Sequence, residues 1–241
     1  MSRAGDPARL EAQIARKVVR AASGQSLDVL VDLSFALGAG ETGALIGPSG
    51  CGKTTLMRIV AGLDLHFDGF VHRPALGRIG MAFQEPRLLP WRSVEDNVRL
   101  VAPEASDGEL DALFAQLGLA GHRAHYPGEL SLGLARRAAL ARAFAVRPAL
   151  LLLDEPFVSL DAPLARQLRG DLCRLVESRS MITLLVTHDV EEAIALADRI
   201  FVLSARPARV LGVVPIAHPR GRMNGAEERA IAEQIEALRG K

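Results

Sequence analysis

The sequence predicts an α/β fold, a mainly parallel sheet with helices and a largely helical insertion. Three observations predict it. Leu150–Leu153 and Ile182–Val186 are short, predominantly apolar runs of the kind that form parallel strands buried on both faces, with a helical stretch between them. A glycine-rich segment at 47–54 lies between an apolar run and a helix-forming stretch. From about Val94 to Val146, apolar residues recur at spacings of three and four, which is the helical period.

The elements follow in order. Leu27, Val29, Val31, Leu33, Phe35 and Leu37 alternate with other residues, a strand with one buried face. Ala44–Ile46 is apolar and ends at glycine, and Thr54–Ala61 reads as a helix stopped by Gly62. Arg78–Phe83 alternates again and predicts a strand. Within the helical stretch, Asp111–Leu117 and Leu134–Phe144 carry the clearest periodicity. The end of the chain reads as a strand near Arg209–Ile216, a proline turn, and a helix from about Ala226 to Leu238. There is no internal repeat and no low-complexity tract.

Composition narrows the function. Lys and Arg total 29 against 28 Asp and Glu, a net charge of +1, so there is no basic excess of the kind that marks a nucleic-acid binder. Hydrophobic content of 49% with 24% charged excludes a disordered chain, and 4% aromatics imply a core of aliphatic side chains. No apolar run approaches the ~20 residues that span a bilayer, and the first residues lack the apolar core of a secretion signal. Cys51 and Cys173 make no disulfide framework, which fits a reducing compartment. The expectation is a cytosolic protein whose membrane role, if any, comes through a partner.

Gly47, Pro48, Ser49, Gly50, Cys51, Gly52, Lys53 and Thr54 match G-x-x-x-x-G-K-[ST] at every defined position, with a strand before and a helix after. Glycines let successive N–H groups face one centre, and the helix N-terminus adds positive potential. Lys53 can reach the outer phosphates, and the Thr54 hydroxyl can join a Mg²⁺ shell. Thr55 is counted with them as nucleotide-binding. Cys51 reads as a small spacer within the loop.

Leu150–Leu153 runs into Asp154 and Glu155. Side chains alternate along a strand, so the two carboxylates have different directions and different uses. Asp154 suits the magnesium shell, and Glu155 a water aimed at the γ-phosphate. Ile182–Thr187 likewise ends in His188, and parallel strands present their carboxyl ends at the edge where ligands bind. His188 is therefore expected beside the phosphates. Asp189 and Glu192 have the spacing of a helix cap. His66, His72, His122, His125 and His218 form no metal set.

From about Lys17 to Pro215 these residues resemble the nucleotide-binding subunit of an ATP-binding-cassette (ABC) transporter. Besides the phosphate loop and the acidic pair, Gln84 in Met-Ala-Phe-Gln-Glu-Pro resembles the Q-loop. Leu130-Ser-Leu-Gly-Leu-Ala-Arg-Arg resembles the signature motif, Ser159-Leu-Asp161 the D-loop, and His188 the switch histidine. The resemblance implies a single domain over 1–241: a RecA-like P-loop NTPase core, an N-terminal antiparallel β subdomain, a helical subdomain at about 87–147, and a C-terminal strand and helix at 205–241. It implies ATP and Mg²⁺, with Thr54, Gln84 and Asp154 toward the metal, and Glu155, His188 and Gln84 in catalysis. It further implies head-to-tail pairing with a second ATPase subunit, expected as a homodimer. Ser131 and Gly133 then reach the nucleotide bound by the other subunit, and Asp161 lies at the dimer interface.

Further implied partners are integral-membrane permease subunits, a solute-binding protein indirectly, and no nucleic acid. The location is the cytoplasmic face of the inner membrane. The Pro86–Val98 stretch would receive the permease, the alternative being that Trp91 packs in its own core. Gln-Glu-Pro-Arg-Leu-Leu-Pro-Trp and Leu203-Ser-Ala-Arg-Pro-Ala-Arg-Val210 resemble the nitrate, sulfonate and taurine importer group. The 135–142 stretch also resembles lipid-trafficking cassettes, and a soluble non-transport ABC ATPase is a further alternative.

Two departures stand out. No aromatic residue lies in Arg16–Gln25 to stack on adenine, leaving Val18 or Val19 for a plainer apolar contact. Leu132 stands where the signature normally has its first glycine, and its side chain restricts backbone freedom and approach to a phosphate. Turnover is therefore expected to be reduced or altered rather than absent, and Leu132→Gly should change it. Equal ATPase rates for wild type and Leu132→Gly would contradict this.

Overall fold

The apolar runs at 42–46 and 182–187 are strands in which every residue is buried, as parallel strands covered on both faces must be. The computed structural model describes residues 9–20, 24–74, 77–177, 180–217 and 223–240. Along the chain run β1 (Leu10–Arg20), β2 (Ser26–Leu37), β3 (Thr42–Ile46), α1 (Lys53–Val60), β4 (Asp68–His72), β5 (Arg78–Ala82), α2 (Val94–Arg99) and α3 (Asp107–Gln116). Then come α4 (Leu132–Ala145), β6 (Pro148–Asp154), α5 (Ala162–Glu177), β7 (Ile182–Thr187), α6 (Val190–Leu196), β8 (Arg199–Leu203), β9 (Val210–Pro215) and α7 (Gly225–Arg239). They divide into two compact units, residues 1–76 with 182–241, and residues 77–181.

In the first unit β3 pairs in parallel with β7 on one side and β8 on the other, Ala44 lying opposite Leu185 and Ile200. β9 adds antiparallel to β8. The strands come so close that a Cβ at Gly43 would lie 2.7 Å from a Leu37 methyl group. A separate antiparallel sheet runs β2-β1-β4. Both α/β core strands and the antiparallel β portion expected from the sequence are thus present.

The period-2 reading of 27–37 holds only at its far end, where Leu33, Phe35 and Leu37 are buried. Nearer its start, Val29 and Leu30 are both buried, because Asp32 turns to φ 46° and the pairing with β1 then shifts register between Lys17 and Val18, opposite Val29. A bulge of this kind moves the inward set by one residue. β1 itself was not legible, since its inward face includes a lysine. Lys17 is 5% exposed and donates to Asp64 at 2.8 Å and to the His66 carbonyl at 2.7 Å.

In the second unit β5 and β6 pair in parallel, and α4 lies directly on β5: a Cβ at Gly80 would come within 2.2 Å of the Ala143 carbonyl. The helical stretch resolves into α2, α3 and α4. Ser93 caps α2 by accepting the Asp96 N–H, and Ser106 with Glu109 forms a reciprocal box on α3. A buried ion pair joins α4 to α5, with Arg137 donating to Asp171 at 2.6 Å and to the Leu117 carbonyl at 3.0 Å. Satisfying a buried pair at a third group is what keeps its desolvation from outweighing the attraction.

Glu95 on α2 accepts from Arg99 at 2.7 Å and Arg123 at 2.9 Å. The Arg123 hydrogen bond, then that of Arg99, holds its carboxyl below the ordinary glutamate value of 4.5. A depressed folded value means that this stability is present above that ordinary value and is lost as pH falls through the folded one. The melting-temperature advantage of wild type over Glu95→Gln should therefore shrink between about pH 6 and about pH 3. An advantage that stays constant across that range would contradict it.

Candidate phosphate-binding site

β3, buried throughout, delivers the chain at Gly47, and α1 begins at Lys53 with Gly52 as its N-cap. Between them Gly50 has φ 73° and Gly52 φ 127°, a left-handed path that L side chains rarely take. At Gly52 there is no space either, since a Cβ would lie 2.7 Å from a Val29 methyl group. Lys53 is 5% exposed, and its ammonium donates to the carbonyls of Gly47 at 2.8 Å and Pro48 at 3.0 Å. A buried cation at a helix start, on a loop curled by two glycines at positive φ, is the chemistry of a phosphate cradle. Pro48, Ser49, Gly50 and Thr54 are exposed at its mouth, and Thr55 is half-buried. Cys51 is 2% exposed, which matches a spacer rather than a reactive thiol.

β7 ends at buried Thr187, and His188 emerges into solvent. A cavity of about 320 Å³ is lined by Gly47, Pro48 and His188 together with Leu203, Ser204, Ala205, Leu211 and Arg239. The first unit thus brings the start of the phosphate loop and His188 to one cavity wall. Asp189 caps α6 by accepting the N–H groups of Glu191 at 2.7 Å and Glu192 at 3.2 Å. Glu192 in turn accepts the Thr187 hydroxyl, fixing the strand end that carries the histidine.

The second unit carries the other candidates. Asp154, 2% exposed, closes β6, and the chain turns at once: Glu155 has φ 47° and Ser159 φ 60°. Non-glycine residues in that region cost ~1–3 kcal/mol each and gather at functional sites. Asp161 is exposed, and its carboxylate accepts the Leu164 N–H at 2.9 Å, a cap on α5. Ser131 caps α4 by accepting the Leu134 N–H at 3.3 Å. Gly133 is buried where a Cβ would meet Leu164 at 2.4 Å, so Leu164 links the start of α4 to the Asp161 cap. Leu132 is 46% exposed, so its side chain fits there without displacing packing.

Gln84 is exposed just beyond β5. The segment after it is tied down by two residues that sequence reasoning missed. Arg142 of α4 donates to the carbonyls of Pro86 at 2.9 Å and Arg87 at 2.7 Å. Asn97, wholly buried in α2, accepts the Leu89 N–H at 2.8 Å and directs its amide at the carbonyls of Leu89, Arg92 and Ser93. A buried polar side chain in a short helix is the signal that could have found it. The loop so held presents Trp91 at 70% exposure, so the tryptophan does not pack in a core.

Val18 is half-buried and Val19 is 40% exposed, while residues 21–23 and His218 lie outside the described residues. His122 and His125 are half-buried and meet edge to face at 5.1 Å. Among the described residues no group of three or more His, Cys, Asp or Glu could hold a metal by itself. Magnesium at a triphosphate needs no such group, since one or two protein ligands and the phosphates suffice.

Residues 30–158 match the family model described as ABC transporter. An aliphatic sulfonates import ATP-binding protein of Pseudomonas syringae pv. tomato is 42% identical over 87% of this chain and 91% of its own length. Proteins of the same name from Burkholderia cenocepacia (40%, covering 96% of this chain and 88% of that one) and Pseudomonas aeruginosa (44%, covering 80% and 84%) are also similar. A dimeric structure of the ATP-binding cassette MJ0796 in a post-hydrolysis state with ADP and Pi superposes with a TM-score of 0.75 at 24% identity, covering 87% of this chain and 99% of that one.

Proposed function

We propose a function from one premise: the chain belongs to the ABC transporter family. Within it, this is the ATP-hydrolysing subunit of an importer for a small anion of the aliphatic sulfonate kind. The observation that carries the ATPase is the loop in which Gly50 and Gly52 take positive φ, Gly52 with no room for a Cβ, around buried Lys53. The cargo rests on the names of relatives at 40–44% identity.

The residues divide the chemistry among themselves. Backbone N–H groups of 47–55 and the Lys53 ammonium bind and orient the phosphates of ATP. The hydroxyl of Thr54, the carboxylate of Asp154 and the amide oxygen of Gln84 are each hard donors that would suit Mg²⁺ at a bound triphosphate. When bound, the metal neutralises charge developing on the transferred phosphoryl group. Glu155 takes the proton of the attacking water, and His188 donates a hydrogen bond that holds water or γ-phosphate in line. Ser131 and Gly133, at the start of a helix, offer a hydroxyl and free N–H groups to the nucleotide held by a second copy, with Asp161 at that interface.

Among the described residues no helix is long and apolar enough to cross a membrane. Membrane attachment, as for an importer subunit, runs through permease subunits at the cytoplasmic face of the inner membrane, received by the 86–93 segment with Trp91 outward. A solute-binding protein acts on the far side. The whole chain works as one ABC ATPase domain, its helical subdomain at about 87–147. Two measurements test this. Capture of the tagged chain from gently solubilised membranes should recover a polytopic permease. Deleting its gene should abolish growth on an aliphatic sulfonate as sole sulfur source while growth on sulfate persists. Recovery of soluble partners only, with undiminished growth on sulfonate, would contradict the importer.

A further inference from the structure

The 204–209 turn between β8 and β9 belongs to a stretch that the sequence singled out and that the ATPase chemistry has not used. It is tightly built. The Ser204 N–H donates to the Arg209 carbonyl at 3.0 Å, and the Arg209 N–H to the Ser204 hydroxyl oxygen at 3.1 Å. That hydroxyl lies 2.8 Å from the Ala205 carbonyl and 3.1 Å from that of Pro207. Buried Ala208 fastens the turn to β2, donating to the Val29 carbonyl at 2.8 Å and accepting the Val31 N–H at 3.1 Å.

The turn and the two strands beside it meet the phosphate loop at three points. At Gly47, a Cβ would meet Leu203 at 3.0 Å. At Gly52, it would meet Val29 at 2.7 Å and Leu30 at 2.9 Å. Between these points the Arg206 guanidinium donates to the Gly50 carbonyl. Gly50 is the residue at which the loop is least constrained by packing, since only the end of the Arg206 side chain comes within 4.0 Å of a Cβ built there. Its peptide can rotate at little steric cost, and a rotated carbonyl would change the dipoles that the loop presents to an anion.

We propose that Arg206 is a positioning residue for the phosphate loop: by holding the Gly50 carbonyl it fixes the 50–51 peptide, and the 204–209 turn is the brace that carries it. In that orientation the Cys51 N–H faces the Pro48 carbonyl at 3.3 Å. A charge-assisted bond to a neutral carbonyl is strong enough to bias a glycine peptide, and a loop ordered in advance loses less freedom when a phosphate arrives. The inference rests on the reading of residues 47–55 as the nucleotide site.

The test uses the full chain and a fluorescent ATP analogue for binding, with MgATP turnover alongside. Arg206→Ala is expected to raise both the analogue Kd and the KM for ATP by about three- to tenfold while kcat at saturation stays within about twofold, the pattern of lost ground-state binding. Arg206→Lys should recover most of the affinity. Arg209→Ala, which removes the same charge from the same exposed turn, should bind as wild type does. Melting without nucleotide should be unchanged in Arg206→Ala, while the nucleotide-induced rise in melting temperature shrinks. Wild-type Kd and KM in Arg206→Ala, or an equal loss in Arg209→Ala, would overturn the proposal. The phosphate-loop reading fails separately, if Lys53→Ala binds the analogue as wild type does.

Discussion

The first unit depends on one constraint: the loop between β3 and α1 must curl tightly around the buried ammonium of Lys53. The curl needs positive φ at Gly50 and Gly52, and the close approach of Leu203 at Gly47 and of Val29 and Leu30 at Gly52 fixes the two ends of the path. Five buried residues of β3 aim the chain into the loop, and α1 takes it away with buried Leu56, Met57, Ile59 and Val60. Arg73 then covers the far end of α1, donating to the Ile59 carbonyl at 2.7 Å and the Val60 carbonyl at 2.6 Å. The carbonyl end of the helix thereby faces a cation, the complement of the positive end at Lys53.

The second unit follows a different logic, in which one helix holds several functional segments at once. α4 begins at the Ser131 cap, packs its Gly133 on Leu164, pairs Arg137 with Asp171 and ties Arg142 to the backbone beyond Gln84. α4 thus holds the Ser131 cap and the backbone beyond Gln84 within one unit.

Much of this was legible in the sequence where a single rule governed a residue. The phosphate loop, the buried strands ending at Asp154 and His188, and α4 and α7 each obey one local pattern of glycine placement, apolar run or helical period. The pattern failed where a distant partner overrides it. β1 hides behind buried Lys17, whose charge is satisfied only by Asp64 and His66 at the far side of α1. The alternation of β2 breaks at Val29 and Leu30 because the bulge serves the phosphate loop and the 204–209 turn together. Asn97 and Arg142 looked like ordinary helix residues, since the carbonyls they bind are set by loop geometry that no periodicity encodes. Gly133 read as a family motif, whereas its packing reason lies in Leu164, thirty-one positions on.

The central claim is that this chain holds ATP and that Glu155, turned out of β6 at positive φ, removes the proton from the attacking water. The most direct measurement compares ATP binding and ATP turnover in the Glu155→Gln protein. Binding within a few-fold of wild type, with turnover lowered by about a hundredfold or more, is the predicted result. Turnover at the wild-type rate, or loss of binding along with turnover, would contradict it.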